Sequence, residues 1–206
     1  LPRYIISLLR PDLQLFCALI VCSMFSMIRV IVQQTVNALG KTQLGLDDFK
    51  TSIMAASIGL GIAVGCVLGG YLSKGTSSAR VVVVGASGIV VMLLALALPG
   101  GEHQHLLGYA GSIPALVLLG AFTGMFIVPV QVVLQSRPPR QDKGRMIATM
   151  NQCTWVGIII GAVIFKLSLL ALEAIDWPRS VIFAITAAVM LPVALFYRPS
   201  DDVGER

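Results

Sequence analysis

Six long apolar stretches dominate this chain: Leu13–Val36, Thr51–Ser73, Val81–Leu98, Ile113–Leu134, Met146–Leu172 and Val181–Tyr197. A helix needs about 20 mostly apolar residues to cross the hydrocarbon of a bilayer, so each stretch reads as a spanning helix. Breakers and charge fill the segments between them, from Lys41 to Lys50, Lys74 to Arg80, Pro99 to Ser112, Ser136 to Arg145 and Glu173 to Arg179. The short alternating segments of a membrane barrel do not occur. Composition agrees, with 56% hydrophobic residues, 12% charged and a mean hydropathy of +0.87. An ordinary water-soluble chain carries about 25% charged residues. The fold class is therefore all-α membrane protein, which excludes a disordered chain, a nucleic-acid-binding module and a disulfide scaffold. Cys17, Cys22, Cys66 and Cys153 all fall within the apolar runs, where a free cysteine acts as a small hydrophobe.

An even number of spans puts both ends of the chain on one side of the membrane. That side holds Arg3, Arg10, Lys74, Arg80, Arg137, Arg140, Lys143, Arg145, Arg198 and Arg206; the other holds Lys41, Lys50 and Arg179. The positive-inside rule then predicts cytoplasmic termini. The net charge of +5 reports this orientation rather than a nucleic-acid partner. Residues 1–12 read as a cytoplasmic linker or a short interfacial helix, 13–198 as the six-helix bundle and 199–206 as a cytoplasmic tail. Arg10-Pro11-Asp12 is a helix-start signal, because proline is tolerated in a first turn. The chain opens on Leu1 with no signal-peptide pattern, so it reads as a piece of a longer protein.

Lipid tails are as apolar as leucine, so close backbone contact rather than hydrophobicity draws such helices together. Ser57, Gly61, Gly65 and Gly69 recur every four residues in the second span, Gly120 and Gly124 in the fourth, and Gly157 and Gly161 in the fifth. These predict a tightly packed bundle. Pro129 and Pro192 each remove a backbone donor inside a span and predict a bend or a loosened turn.

Arg29 lies about 24 Å along the first span at 1.5 Å per residue, in the outer half of the membrane. A central arginine costs at least ~2.5 kcal/mol to insert, so it calls for a functional partner. Gln33 and Asn37 follow at four-residue steps and drift only about 40° per step, giving a polar stripe that would face a cavity. An arginine fork beside amides suits an anionic headgroup, since it pairs bidentately with phosphate. The alternative is an arginine that snorkels outward or tethers a neighbour. Lys166 sits where it can snorkel. Gln131, just after Pro129, and Asn151, Gln152 and Thr154 are either pathway residues or interhelical glue.

No acid lies within a span, so a proton relay built on membrane carboxylates is not contained in these residues. The motifs H-E-x-x-H, G-x-S-x-G and G-x-x-x-x-G-K-[ST] are all missing, so neither an enzyme nor a cofactor is expected. His103 and His105, beside Glu102 in a glycine-rich loop, read as solvated residues rather than metal ligands.

Two loops carry a resemblance. Gly69-Gly70-Tyr71-Leu72-Ser73-Lys74-Gly75, with Arg80, is similar to the G-x-L-S/A-D-x-x-G-R-R loop of major facilitator transporters, in its second-half copy. It departs by having Ser73-Lys74 where an Asp is usual. Gly120-Ala121-Phe122-Thr123-Gly124-Met125-Phe126-Ile127-Val128-Pro129-Val130-Gln131-Val132-Val133-Leu134-Gln135, followed after a basic loop by Ala148-Thr149-Met150-Asn151, resembles the bacterial lysophospholipid transporter branch. The stretch Ser52 to Gly61 resembles its eighth helix and Met27-Ile28-Arg29 its seventh, while Gln131 replaces an Asn.

The resemblance implies the C-terminal six-helix half of a twelve-helix transporter in the bacterial inner membrane, rocking against an N-terminal half of the same chain. It implies lysophospholipid as substrate, the bilayer as partner, an acyltransferase as a further partner, and Arg29, Gln33, Asn37, Gln131 and Asn151 as the binding residues. Two alternatives stay open: an exporter of drugs or small organic solutes with the same fold, and a non-transporting anchor for an acyltransferase.

Overall fold

The computed structural model describes residues 13–75, 78–100, 105–139 and 141–197. The opening segment 1–12, the tail 199–206, and Arg140, Arg198, Glu102 and His103 lie outside the described residues. Among the described residues six α-helices run in chain order: α1 (Leu13–Ala38), α2 (Asp48–Gly75), α3 (Ser78–Ala97), α4 (Gly108–Ser136), α5 (Lys143–Ala174) and α6 (Val181–Phe196). Each falls on one of the apolar stretches, overrunning most of them by a few polar residues. Five are long and apolar enough to cross a membrane. The sixth, with 16 residues, is shorter than the expected span and reaches about 24 Å at 1.5 Å per residue.

The helix ends have identifiable causes. Asp47 caps α2 by accepting the Lys50 backbone N–H at 3.1 Å on Oδ1. Helix α1 ends in a π-helical turn, Leu39–Gln43, after which Gly45 takes a left-handed φ of 60° that glycine adopts without strain. At the end of α5 Asp176 takes φ 53°, and the Trp177 N–H reaches back to the Leu172 carbonyl at 3.0 Å. That pairing closes the helix in the reverse-turn cap usually built on glycine. Within the bundle, hydroxyls bond to their own helix: Ser26 to Cys22 O, Thr35 to Ile31 O and Thr186 to Ile182 O. This satisfies buried polar groups where no water reaches them.

Helices α1 and α4 touch at the centre. Helix α2 lies along α4, α5 along α1, and α3 and α6 pack against each other behind them. The second helix of each three-helix unit thus packs on the first helix of the other, an exchange that relates α1–α3 to α4–α6. Each unit has three helices, an odd number, so corresponding helices of the two units run in opposite senses, as in inverted repeats. The core joins all the helices, with Ile31, Leu93, Leu116, Phe126, Phe183 and Met190 fully buried. Phe25 and Phe126 lie with ring centroids 5.9 Å apart.

The small-residue stripes form two seams. A Cβ on Gly61 would lie 2.0 Å from the Val117 carbonyl oxygen, and one on Gly124 would lie 2.5 Å from that of Ile62. The α2 stripe and the Gly120–Gly124 pair are therefore two sides of one contact. Gly157 and Gly161 meet Ser23 and Met27 of α1, where Ser23 Oγ donates to the Cys153 carbonyl at 2.8 Å. Pro129 and Pro192 both sit inside helices that continue unbroken through them.

One expectation is overturned. His105 is buried rather than solvated; its Nε2 lies 2.7 Å from the Leu96 carbonyl and its Nδ1 3.5 Å from Ser112 Oγ. It clips the α3–α4 connection to the end of α3. Among the described residues no three His, Cys, Asp or Glu side chains cluster as a metal site would require.

Candidate functional site

Helices α1 and α2 are joined by a short connection but touch little along their length. Each is drawn instead to a glycine seam, α1 to α5 and α2 to α4, and a groove opens between them. Its walls are apolar, with Phe25, Ile28 and Val32 from α1 and Ile58 and Ile62 from α2. Leu119 of α4, Ile89 of α3 and Met190 of α6 close the back. The resulting cavity holds about 190 Å³.

Three polar residues interrupt this lining: Arg29, Gln33 and Thr123. Thr123 donates its hydroxyl proton to the Leu119 carbonyl at 2.6 Å, so toward a ligand its oxygen can act only as an acceptor. Arg29 and Gln33 are exposed, whereas Ile28, Ile31 and Val32 on either side are buried. Helix α1 thus turns its apolar face into the bundle and holds the guanidinium and the amide at the groove. On the facing wall Ala55 and Gly59 are small, and a Cβ on Gly59 would meet nothing within 4 Å. The groove offers a slim apolar slot with five guanidinium donors at its edge, a chemistry suited to an anion attached to a hydrocarbon chain.

A second, larger cleft of about 620 Å³ opens at the end of the bundle where α1 meets α2 and α5 meets α6. Asn37 lines it together with Gln34, Lys41, Asp48, Phe165 and Arg179. Lys41 Nζ lies 2.8 Å from Asp48 Oδ1, and Arg179 lies 3.0 Å from Glu173 Oε1. Gln43 Oε1 accepts the Ser180 N–H at 3.1 Å and ties the two connections at that end.

The structure therefore brings Arg29 and Gln33 into one cavity and puts Asn37 in the next. Gln131 and Asn151 are exposed and line neither. Lys166 is likewise exposed and outside both. Sequence reasoning misses Lys41, which stands four residues beyond Asn37 and past the end of the apolar run. Arg179 gave no signal, because it comes to the cleft from a distant loop.

The fold is thus a six-helix unit of two exchanged three-helix halves with a part-polar groove along its first helix. The sequence profile of the Major Facilitator Superfamily matches residues 2–162, and the chain belongs to that family. Among curated proteins none matches the sequence. The fold is similar to crystal structures of a mutant peptide transporter POT. The complex with sulfate gives a TM-score of 0.61 at 19% identity, over 90% of this chain and 38% of the transporter. The complex with alafosfalin gives 0.60 at 20% identity, over 88% and 40%. The chain thus spans about two-fifths of the length of these structures.

Proposed function

We propose that this chain is the C-terminal half of an alternating-access transporter that moves lysophospholipids across the bacterial inner membrane. In this reading both termini face the cytoplasm, which the distribution of lysine and arginine supports. The observation that carries it is the placement of Arg29 and Gln33 at the edge of an otherwise apolar groove on the exposed face of α1. A free small anion would gain nothing from those apolar walls, and a neutral hydrophobe would leave an arginine without an anion. A single-chain lipid with a phosphate uses both, with the phosphate on the guanidinium fork and the first methylenes in the slot. A cavity of about 190 Å³ leaves most of the acyl chain in the bilayer.

A second six-helix unit is needed for rocking motion, and the uncovered faces of α2 and α5 leave room for it. Only 17% of the spanning part of α5 is buried within this bundle.

The test is uptake of labelled lysophosphatidylethanolamine by spheroplasts or proteoliposomes carrying the full-length protein. Uptake is expected to fall at least about tenfold in Arg29→Ala. Wild-type protein that takes up no lysolipid, yet changes drug susceptibility or solute efflux, would replace this reading with a small-solute exporter.

A further inference from the structure

The two cavities follow one another along α1, and four polar residues connect them at a constant spacing. Arg29 and Gln33 line the groove, and Asn37 and Lys41 line the end cleft. Four residues advance a helix by about 6 Å and turn it by about 40°. From Arg29 to Asn37 the row advances about 12 Å, and Lys41 continues it from the π-helical turn Leu39–Gln43.

The two ends of this row differ in charge. The groove has a cation and no carboxylate among its lining residues. In the end cleft each cation is already matched: Lys41 to Asp48 at 2.8 Å across the α1–α2 connection, and Arg179 to Glu173 at 3.0 Å on the α5–α6 side. Lys41 and Asp48 are both solvent-exposed, with side chains 57% and 88% accessible. Water competes for such a pair, so a ligand can exchange into it at little cost. A simple anion gains from the cations and is opposed by the carboxylates. A ligand carrying both signs a few bonds apart replaces both halves of the pair at once.

We infer that the end cleft is a first binding station for a zwitterionic headgroup, a phosphate joined to a cationic amine, before it descends the row to Arg29. The phosphate takes Lys41 and Arg179, and the ammonium takes Asp48. Asn37 and Gln33 hand the phosphate inward with amide N–H donors. At Arg29 only the phosphate is held, so discrimination by the amine belongs to the cleft. This inference rests on the transport reading above and adds to it which headgroups are captured best.

The experiment uses the full-length transporter in proteoliposomes, comparing lysophosphatidylethanolamine, which has the amine, with lysophosphatidylglycerol, which lacks it. In Asp48→Asn the KM for the ethanolamine lipid is expected to rise roughly tenfold, the scale of one charge-assisted hydrogen bond. Its kcat stays within twofold, while the KM for the glycerol lipid falls, because Lys41 loses the carboxylate that competes with the phosphate. In Lys41→Gln the KM rises for both lipids. Free phosphoethanolamine competes with uptake by the wild type and loses potency in Asp48→Asn if the cleft reads the headgroup alone; no competition from it assigns recognition to the intact lipid at the same station. A merely structural ion pair predicts the same change in both variants for both lipids, and that result overturns the station. Unchanged KM values overturn it as well. Wild-type protein that transports neither lipid removes the transport reading itself, a distinct outcome.

Discussion

Gly65 and Ala121 bring two helix backbones into direct contact: a Cβ added to Gly65 would sit 2.0 Å from the Ala121 carbonyl oxygen. The same relationship repeats one turn away between Gly61 and Val117. In hydrocarbon, where apolar burial gives no net pull between helices, such proximity is what dispersion contacts and helix packing require. It also decides where the groove forms, because α2 held against α4 cannot close on α1.

Substitution at this seam should therefore unfold the bundle rather than impair a site. Gly65→Ala is expected to destabilise by about 3 kcal/mol, the upper end of overpacking costs, because the obstructing atom is backbone and cannot rotate away. Thermal melting of the detergent-solubilised protein reads this as a clear drop in Tm. Gly59→Ala, whose new methyl meets nothing within 4 Å, should leave Tm unchanged or slightly raised.

Gly59 also permits a test of the groove without disturbing the fold. Gly59→Leu places a branched side chain into the cavity that Phe25, Ile28 and Arg29 line from the other side. Membrane levels should stay normal while lysolipid uptake falls at least about tenfold, corresponding to the loss of about 1.4 kcal/mol of binding. Full uptake by this variant would show that the substrate does not use the groove.

Arg29 separates charge from geometry. Arg29→Ala should lower uptake efficiency about ten- to hundredfold, the range spanned by losing a hydrogen bond to a charged group. Arg29→Lys keeps the charge but not the planar fork and should fall between. Both should reach the membrane at least as well as the wild type, because an arginine within a span opposes insertion. Immunoblots of membrane fractions beside uptake curves distinguish the two effects.

His105→Ala should spare both cavities, since His105 lines neither. It leaves the Leu96 carbonyl without its 2.7 Å partner and opens a void at a buried position. A loss of about 1–3 kcal/mol is expected, read as a lower Tm and faster proteolysis between α3 and α4, with the KM for lysolipid unchanged.

The existence, order and approximate limits of all six helices were legible in the sequence. Length and hydropathy alone dictate them in a solvent that cannot hydrogen-bond to the backbone. Small residues at four-residue spacing marked the tight contacts, and Arg29, Gln33 and Asn37 marked a polar stripe on the first helix, which the structure divides between two cavities. What the chain order could not express is which stripe meets which. That Gly61 faces Val117 and Gly157 faces Ser23 depends on the exchange of helices between the two three-helix units. Gln131 and Asn151 carry the same amide as Gln33, but their helices turn them away from both cavities. His105 looked like a loop residue until its place beneath Leu96 was seen. Local composition thus determined a membrane bundle with an arginine on its first helix. Only the packing of distant helices decided that the arginine borders an apolar slot, and that Arg179, remote in sequence, joins Lys41 and Asp48 in the next cleft. Sequence periodicity reports the faces of one helix at a time, whereas a cavity is the space that several helices fail to fill.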